Sequence, residues 1–428
     1  MGRRAARLMG AVGLVALVVA AAGCWPAPGQ GPDRRAYNAG ETAITVATVG
    51  DLATVWRATL APPGGSGGPV RAPVVGAGGV FASSGIHLFG VDPATGAVRW
   101  RYPGEQFFDA GDPFVVGGRV LYSWTGTMGF GGAPIGSGTW LDPVTGAELE
   151  HVAGYEVQAL RGGNRIDTYT QAPELILFAR HHEVTDGATG DTWGTLVTID
   201  GVARPATAGA ERWYRAGSTM DPADPANEAP GVQAYPYAEP EVCSDHELVT
   251  VHCSLWTTPT AGMPVASPVI GPGERSLFVA TDDGAFHALD PATGAVQWTA
   301  PLGGTPTAAP AVDADTAFVP LADGRLVALA AGGCGAATCA TTWSATTAGG
   351  GRGLQPAVAG GVVYVATSAG AIAGFDADGC RRRGGGARSC PALWSDDLGA
   401  AATGPPAVSG GRLYVGTAAG ELVAYAPA

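Results

Sequence analysis

The stretch VDPATGAVRW, Val91 to Trp100, returns almost letter for letter as LDPATGAVQW, Leu289 to Trp298. Self-similarity at a fixed period constrains an architecture before any other feature does. Set in register, the C-terminal half repeats one unit, for example QPAVAGGVVYVATSAGAIAGFDADG from Gln355 and PPAVSGGRLYVGTAAGELVAYAPA from Pro405. Each unit offers a short Pro-x-Val strand, a Gly-rich turn and an alternating strand such as Val362-Val363-Tyr364-Val365. Period 2 puts alternate residues of that strand on one face. A tight turn follows at Asp283-Gly284, Asp323-Gly324, Ala369-Gly370 or Ala419-Gly420, where glycine tolerates the positive φ of a two-residue hairpin. A third strand, a DPATG-type turn and an outer strand carrying Trp complete the unit.

The same unit opens at Ala72 and again at Asp112, where LDPVTGAELE puts Glu150 in place of the Trp. The markers Trp56, Trp100, Glu150, Trp213, Trp256, Trp298, Trp343 and Trp394 recur with a period of about 45, the length of a four-stranded propeller blade. The last unit stops after its third strand, while Thr54-Val55-Trp56-Arg57 has no strands before it. The expectation is therefore an all-β, eight-bladed β-propeller whose N-terminal strand completes the last blade and shuts the ring, which protects strand edges. Seven blades, with Tyr214 to Cys253 as an insertion, is the alternative.

The N-terminus reads as a targeting segment. MGRRAAR is basic, and the 16 apolar residues after it are short for a membrane span, which takes roughly 20. They end in Ala21-Ala22-Gly23-Cys24, a bacterial lipobox. Residues 1–23 are expected to be a lipoprotein signal peptide, Cys24 the lipidated residue, 24–49 a flexible Pro- and Gly-rich tether, and 50–428 the propeller. An ordinary secretory peptide with a coincidental cysteine is the alternative. Either places the folded part outside the cytoplasm, and the lipidated reading puts it at the extracytoplasmic face of the cell membrane.

Six cysteines remain, in three close pairs: Cys243/Cys253, Cys334/Cys339 and Cys380/Cys390. An oxidising compartment favours disulfides. Each pair lies just before a marker Trp in a unit lacking the DPATG turn, so a disulfide there would brace the hairpin that the turn braces elsewhere. Cys243, His246, His252 and Cys253 could hold zinc by residue type, but their spacing matches no common finger. His181-His182-Glu183 lies on a strand that turns adjacent histidines to opposite faces. His87 and His287 occupy equivalent repeat positions and read as packing; Asp282-Asp283 and Asp109/Asp112 read as turn residues. No metal site is expected.

All 24 basic residues are Arg. Schiff-base lysines, Walker-type lysines and Ser-Lys dyads are excluded. A net charge of −13 argues against a nucleic-acid partner.

The D-x-x-T-G-x-x-x-W signature at Asp92, Thr95, Gly96 and Trp100, and at Asp290, Thr293, Gly294 and Trp298, resembles the tryptophan-docking repeat of the pyrroloquinoline-quinone-type propellers. The resemblance spans most of residues 50–428 and is weakest between 151 and 260. It implies that the turn shapes a hairpin and that the Trp, with Trp343 and Trp394, packs between blades. The quinoprotein dehydrogenases of that superfamily use a disulfide between adjacent cysteines, a stacked Trp and a carboxylate-held calcium. No two cysteines here are adjacent, and no C-x-x-C-H haem motif occurs. Quinone and other cofactors are therefore not expected, nor enzymatic activity. The family also includes the lipid-anchored propeller of the outer-membrane β-barrel assembly machinery, which this chain resembles in anchor, repeat and size. That resemblance implies a scaffold for an envelope protein partner. Two aromatic insertions are the candidate contacts: Trp124, Met128 and Phe130 in one, Tyr235 and Tyr237 in the other. A small-molecule or glycan site in the central channel is the second expectation.

Overall fold

A computed structural model describes residues 24–65, 67–104, 109–126, 135–153, 156–161, 164–171, 179–185, 192–199, 207–221, 224–246, 249–379 and 389–428. Strands dominate them, with only two short 3-10 helices, Val49–Asp51 and Pro272–Glu274. No helix among the described residues is long and apolar enough to cross a membrane.

Eight sheets of four or five strands and one two-stranded sheet form among these residues. In chain order they are sheet I (74–102), II (109–153), III (156–199), IV (207–259), V (269–301), VI (311–346), VII (357–397) and VIII (407–427). Sheet V shows the pattern. Its strands Val269–Ile270, Leu277–Ala280, Ala285–Leu289 and Val296–Pro301 pair antiparallel in sequence order, with Phe278 opposite Ala288 and Ala288 opposite Trp298. Sheet VIII takes its fourth strand, Leu52–Thr59, from the other end of the chain, with Trp56 opposite Ala424.

Two turn families follow from this zigzag. Turns from first to second strand and from third to fourth strand lie at one end of the sheets; turns from second to third strand lie at the other. We call these the DPATG end and the hairpin end.

The DPATG turns hold the sheets to one another. Asp92 Oδ1 accepts the amides of Ala94 and Thr95, each at 2.9 Å, an Asx-type closure. Asp142 and Asp290 repeat it. Gly96 sits at φ 73°, and a Cβ there would meet Trp56 at 2.7 Å. The indole of Trp56 thus lies flat on that glycine and donates to Pro93 O at 3.1 Å. Trp100 docks likewise on Gly146 and Pro143, and Trp256 on Gly294 and Pro291. Trp298 lies on Gly333, Trp343 on Gly379, and Trp394 donates to Leu52 O. Sheets I, IV, V, VI and VIII therefore lay their outer Trp on the next sheet's turn, and Trp394 of sheet VII reaches the start of the strand Leu52–Thr59.

Three sequence expectations need correction. Trp213 is not an outer-strand marker: it lies on the second strand of sheet IV, Arg212–Asp221, stacked on Tyr235 at 4.7 Å. Trp recurrence alone does not say which strand carries it. Of residues 214–253, those up to Pro236 are no insertion, since they supply the second and third strands of sheet IV, whereas Val242–His246 and Val249–His252 form a separate two-stranded sheet. Residues 24–48 are not a free tether, as described below.

The disulfide device is present. Cys243–Cys253 and Cys334–Cys339 both close third-to-fourth strand connections, with Cα atoms 5.0 and 5.7 Å apart. The first takes both cysteines of the zinc alternative. Cys390 is also disulfide-bonded, and Cys380 lies outside the described residues. Closing loops of this size restricts the unfolded chain by about 2–3 kcal/mol each. Replacing Cys243 and Cys253 together by Ser is expected to cost about that much. Urea unfolding of the variant against the parent checks it; an unchanged midpoint contradicts it.

Candidate functional site at the plugged channel and the DPATG end

The chain's own N-terminal segment runs along the first strands of the sheets. Trp25 exchanges two backbone hydrogen bonds with Val75 of sheet I, at 2.8 and 2.7 Å. The amide of Val115 in sheet II donates to Pro26 O, that of Ala208 in sheet IV to Pro32 O, and that of Ile270 in sheet V to Asp33 O. Val312 of sheet VI donates to Arg35 O and Val358 of sheet VII to Ala36 O, both at 2.8 Å. Asn38 Nδ2 then donates to Val408 O of sheet VIII. The segment bonds the first strands of sheets I, II, IV, V, VI, VII and VIII in chain order, accepting an amide from each of the first six. Its path demands unusual backbone, with Gln30, Arg34 and Ala36 at φ 74°, 56° and 51°. Such conformations persist where surroundings over-determine them.

The direction of the plug is fixed by its pairings. Trp25 is antiparallel to Val75, so Cys24 lies toward Gly76 and the turn that follows it, at the DPATG end. Tyr37–Asn38 leaves parallel to Ala357–Ala359, back toward the same end. Glu41 then caps the turns it crosses, accepting from Ala43 N at 2.7 Å and Gly411 N at 3.0 Å. The segment enters and leaves through one mouth. Trp25, Ala36 and Ile44 are buried within a cluster that also holds Val358 and Val408.

Charged groups line the plug. Arg35 pairs with Asp33 at 2.8 Å and lies 6.0 Å over the Tyr37 ring. Burial pushes the Tyr37 hydroxyl pKa up, and Asp313 adds to it. Asp313 is itself raised by burial, against the amides of Asp315 and Thr316 that hold its anionic form. Asp112, likewise raised by burial, feels the opposing charges of Arg71 and Arg34. Two clefts open between neighbouring turns at this end. One of about 380 Å³ is lined by Arg212, Tyr214, Glu274, Arg275 and Asp290. The other, about 450 Å³, is lined by Asp315, Thr316, Trp343 and Asp378. Arg beside carboxylate suits hydrogen-bonding side chains or a main-chain segment.

The expected contact residues fare differently. Trp124 is 4% exposed and packs with Tyr102 and Tyr122, so it belongs to the core. Tyr235 and Tyr237 are buried too, Tyr237 donating to Gly209 O at 2.8 Å. These three sit on or against paired strands, not on loop tips, and are not surface contacts. Met128 and Phe130 lie outside the described residues, as do the side chains of His181, His182, Glu183, His246 and Asp109. Glu150 takes the Trp position of sheet II and meets Arg119 at 3.2 Å.

His87 is half-buried beside Phe89, and His287 lies 3.2 Å from the Thr281 hydroxyl. Burial holds the His287 imidazole below its ordinary value, with Asp283 opposing. Its neutral form is the folded form, so the contribution is complete above about pH 6.5 and is lost as pH falls toward the depressed value. Relative to His287→Gln, the parent is expected to lose stability between pH 7.5 and 5.5. Urea midpoints at the two pH values check this, and parallel shifts contradict it.

Sheets of this kind, docked Trp on turn around an axis, make a β-propeller of the PQQ-like class. A family model described as outer membrane protein assembly factor BamB matches residues 44–162 and 253–384, more than half of the chain, and the chain belongs to that family. No curated protein sequence matches it. Among solved structures, quinohemoprotein alcohol dehydrogenase from Comamonas testosteroni is similar over 94% of this chain and 80% of its own, at 15% identity and TM-score 0.64. BamB from Moraxella catarrhalis is similar over 88% and 99%, at 17% identity and TM-score 0.56. The computationally designed Ika8 protein covers 86% and 99%, at 14% and 0.56.

These similarities overturn one expectation, that the chain is not an enzyme. Alcohol dehydrogenases share its fold, so the fold does not separate catalysis from scaffolding. The missing adjacent-cysteine pair speaks to one cofactor design only. The quinone site that the resemblance implies does not fit the described residues. No three of their His, Cys, Asp or Glu side chains converge as metal ligands, and the docked Trp rings lie against glycines of neighbouring turns. No chemical step is derived through such a group.

Proposed function

We propose that the protein is an eight-bladed propeller, closed by Leu52–Thr59 in sheet VIII, that is lipid-anchored through Cys24 at the extracytoplasmic face of the cell membrane. It works there as a scaffold for an envelope protein partner. The observation that carries the reading is the plug: residues 25–38 bond to the first strands of seven sheets and take up the axis, which leaves turns and clefts as the surfaces for recognition. Membership in the BamB family and the two disulfides are consistent with it. The same plug counts against a small molecule or glycan entering the channel from the DPATG end.

Crosslinking and co-purification from detergent-solubilised native membranes, with Cys24 intact, test the scaffold. One stoichiometric protein partner is expected. Recovery of the chain with no protein above background contradicts it.

A further inference from the structure

Resting on the reading that Cys24 carries the lipid, the structure points to a fixed orientation. We propose that the DPATG end lies against the lipid surface and that the hairpin end faces away from it. Three observations converge.

The first is the length of the leash. Trp25 is 1% exposed and bonded to Val75 through both its amide and its carbonyl, so no free residue separates Cys24 from the folded body. A flexible linker of n residues spreads over roughly 5–6 Å × √n, which for a linker of some 20 residues would let a propeller tumble freely. Here that freedom is absent. The second is direction: the antiparallel pairing of Trp25 with Val75 sends Cys24 out at the DPATG mouth, and Cys24 itself is half-exposed with a free thiol. A lipid carried by that sulfur would leave through this mouth.

The third is the distribution of exposed apolar side chains. The described residues expose eight large hydrophobics, and all eight lie in a connection at the DPATG end, at the last residue of a first strand or within the first four residues of a fourth strand, the parts nearest that end. Val98 and Val296 directly follow the DPATG turns, and Val144, 64% exposed, is within one. Leu149 is the second residue of the strand after the same turn, Val116 borders Gly117, and Val242 lies in the disulfide-closed connection. Scattered singly they would need no explanation; gathered at the end that holds the anchor, they suit the interfacial layer of a bilayer. The acidic turns are not an obstacle to a neutral headgroup layer, because the Asp92, Asp142 and Asp290 carboxylates are already held by turn amides.

The partner surface follows. The turns at Asp283-Gly284, Asp323-Gly324, Ala369-Gly370 and Ala419-Gly420 face the aqueous phase.

The test uses the acylated chain in phosphatidylcholine vesicles containing a rhodamine lipid as energy acceptor. A donor dye is placed on Ala94→Cys at the DPATG end or on Ala419→Cys at the hairpin end, both exposed positions. Strands of about five residues separate the two ends by roughly 20 Å with their turns, so transfer from position 94 is expected to exceed that from 419 at least about twofold. Inserting a 20-residue Gly-Ser linker between Cys24 and Trp25 is expected to abolish the difference. Equal transfer from both positions in the acylated parent, or the reverse order, overturns the orientation. Absence of the acyl mass on the Cys24 peptide overturns the anchor reading itself, and the orientation with it.

Discussion

Trp56→Ala is expected to cost roughly 3–5 kcal/mol of folding stability, the range for deleting a buried Trp. Trp56 is 8% exposed, packs 5.9 Å from Tyr414 within its own sheet, and covers Gly96 of sheet I. It therefore joins the strand from the start of the chain to the sheet at its end, and both to the first sheet. Its Nε1 also donates to Pro93 O, which the truncation leaves to water. Urea unfolding followed by tryptophan fluorescence and by circular dichroism checks the cost, and both probes are expected to shift together. A loss below 1 kcal/mol would mean that the docking carries little of the ring.

Removing Trp25–Thr48 while keeping Leu52–Thr59 is expected to be at least as damaging. Five first-strand amides beyond that of Val75 lose their acceptors: Val115, Ala208, Ile270, Val312 and Val358. At about 0.5–1.5 kcal/mol for each of the six bonds, the loss is on the order of 3–9 kcal/mol. The chain entropy regained by the released segment sets the lower end. That is a large part of the 5–15 kcal/mol that folded proteins usually have. The expected result is a truncated chain with a lower urea midpoint and exposed apolar surface that binds a hydrophobic dye. An unchanged midpoint would make the plug an ornament.

The repeat made the sheets legible because each of its parts has a local cause. Glycine permits the turn, aspartate closes it, and alternation sets the buried face. The partial last unit likewise pointed to Leu52–Thr59 as the missing fourth strand, and that pairing is present. Where a blade lacks the DPATG turn, the cysteine pair marks the same connection. The plug was illegible for an equally physical reason. Its interactions run through the carbonyls of Pro26, Pro32, Asp33, Arg35 and Ala36, and backbone bonds leave no side-chain signature. Its Pro and Gly read as a linker, although here they permit tight bends within a channel. The aromatic candidates failed differently. Trp124 follows Leu121-Tyr122-Ser123 in one strand, and all four side chains are buried between sheets. Trp124 shares the face of Tyr122, two residues before it in the same strand, and that register places it in the core. Asp112 and Arg71 are far apart in sequence, and only the axis brings their charges together.

The central claim is that the chain fills its own channel, and amide hydrogen exchange on the soluble mature chain tests it most directly. The amides of Val312 and Val358, whose acceptors are Arg35 and Ala36, are expected to exchange as slowly as those in the middle strands of their sheets. Peptides covering 25–38 should be protected alongside them. Rapid exchange of residues 25–38 together with fast first-strand amides, in a chain whose middle strands stay protected, would contradict the plug and with it the fixed anchor.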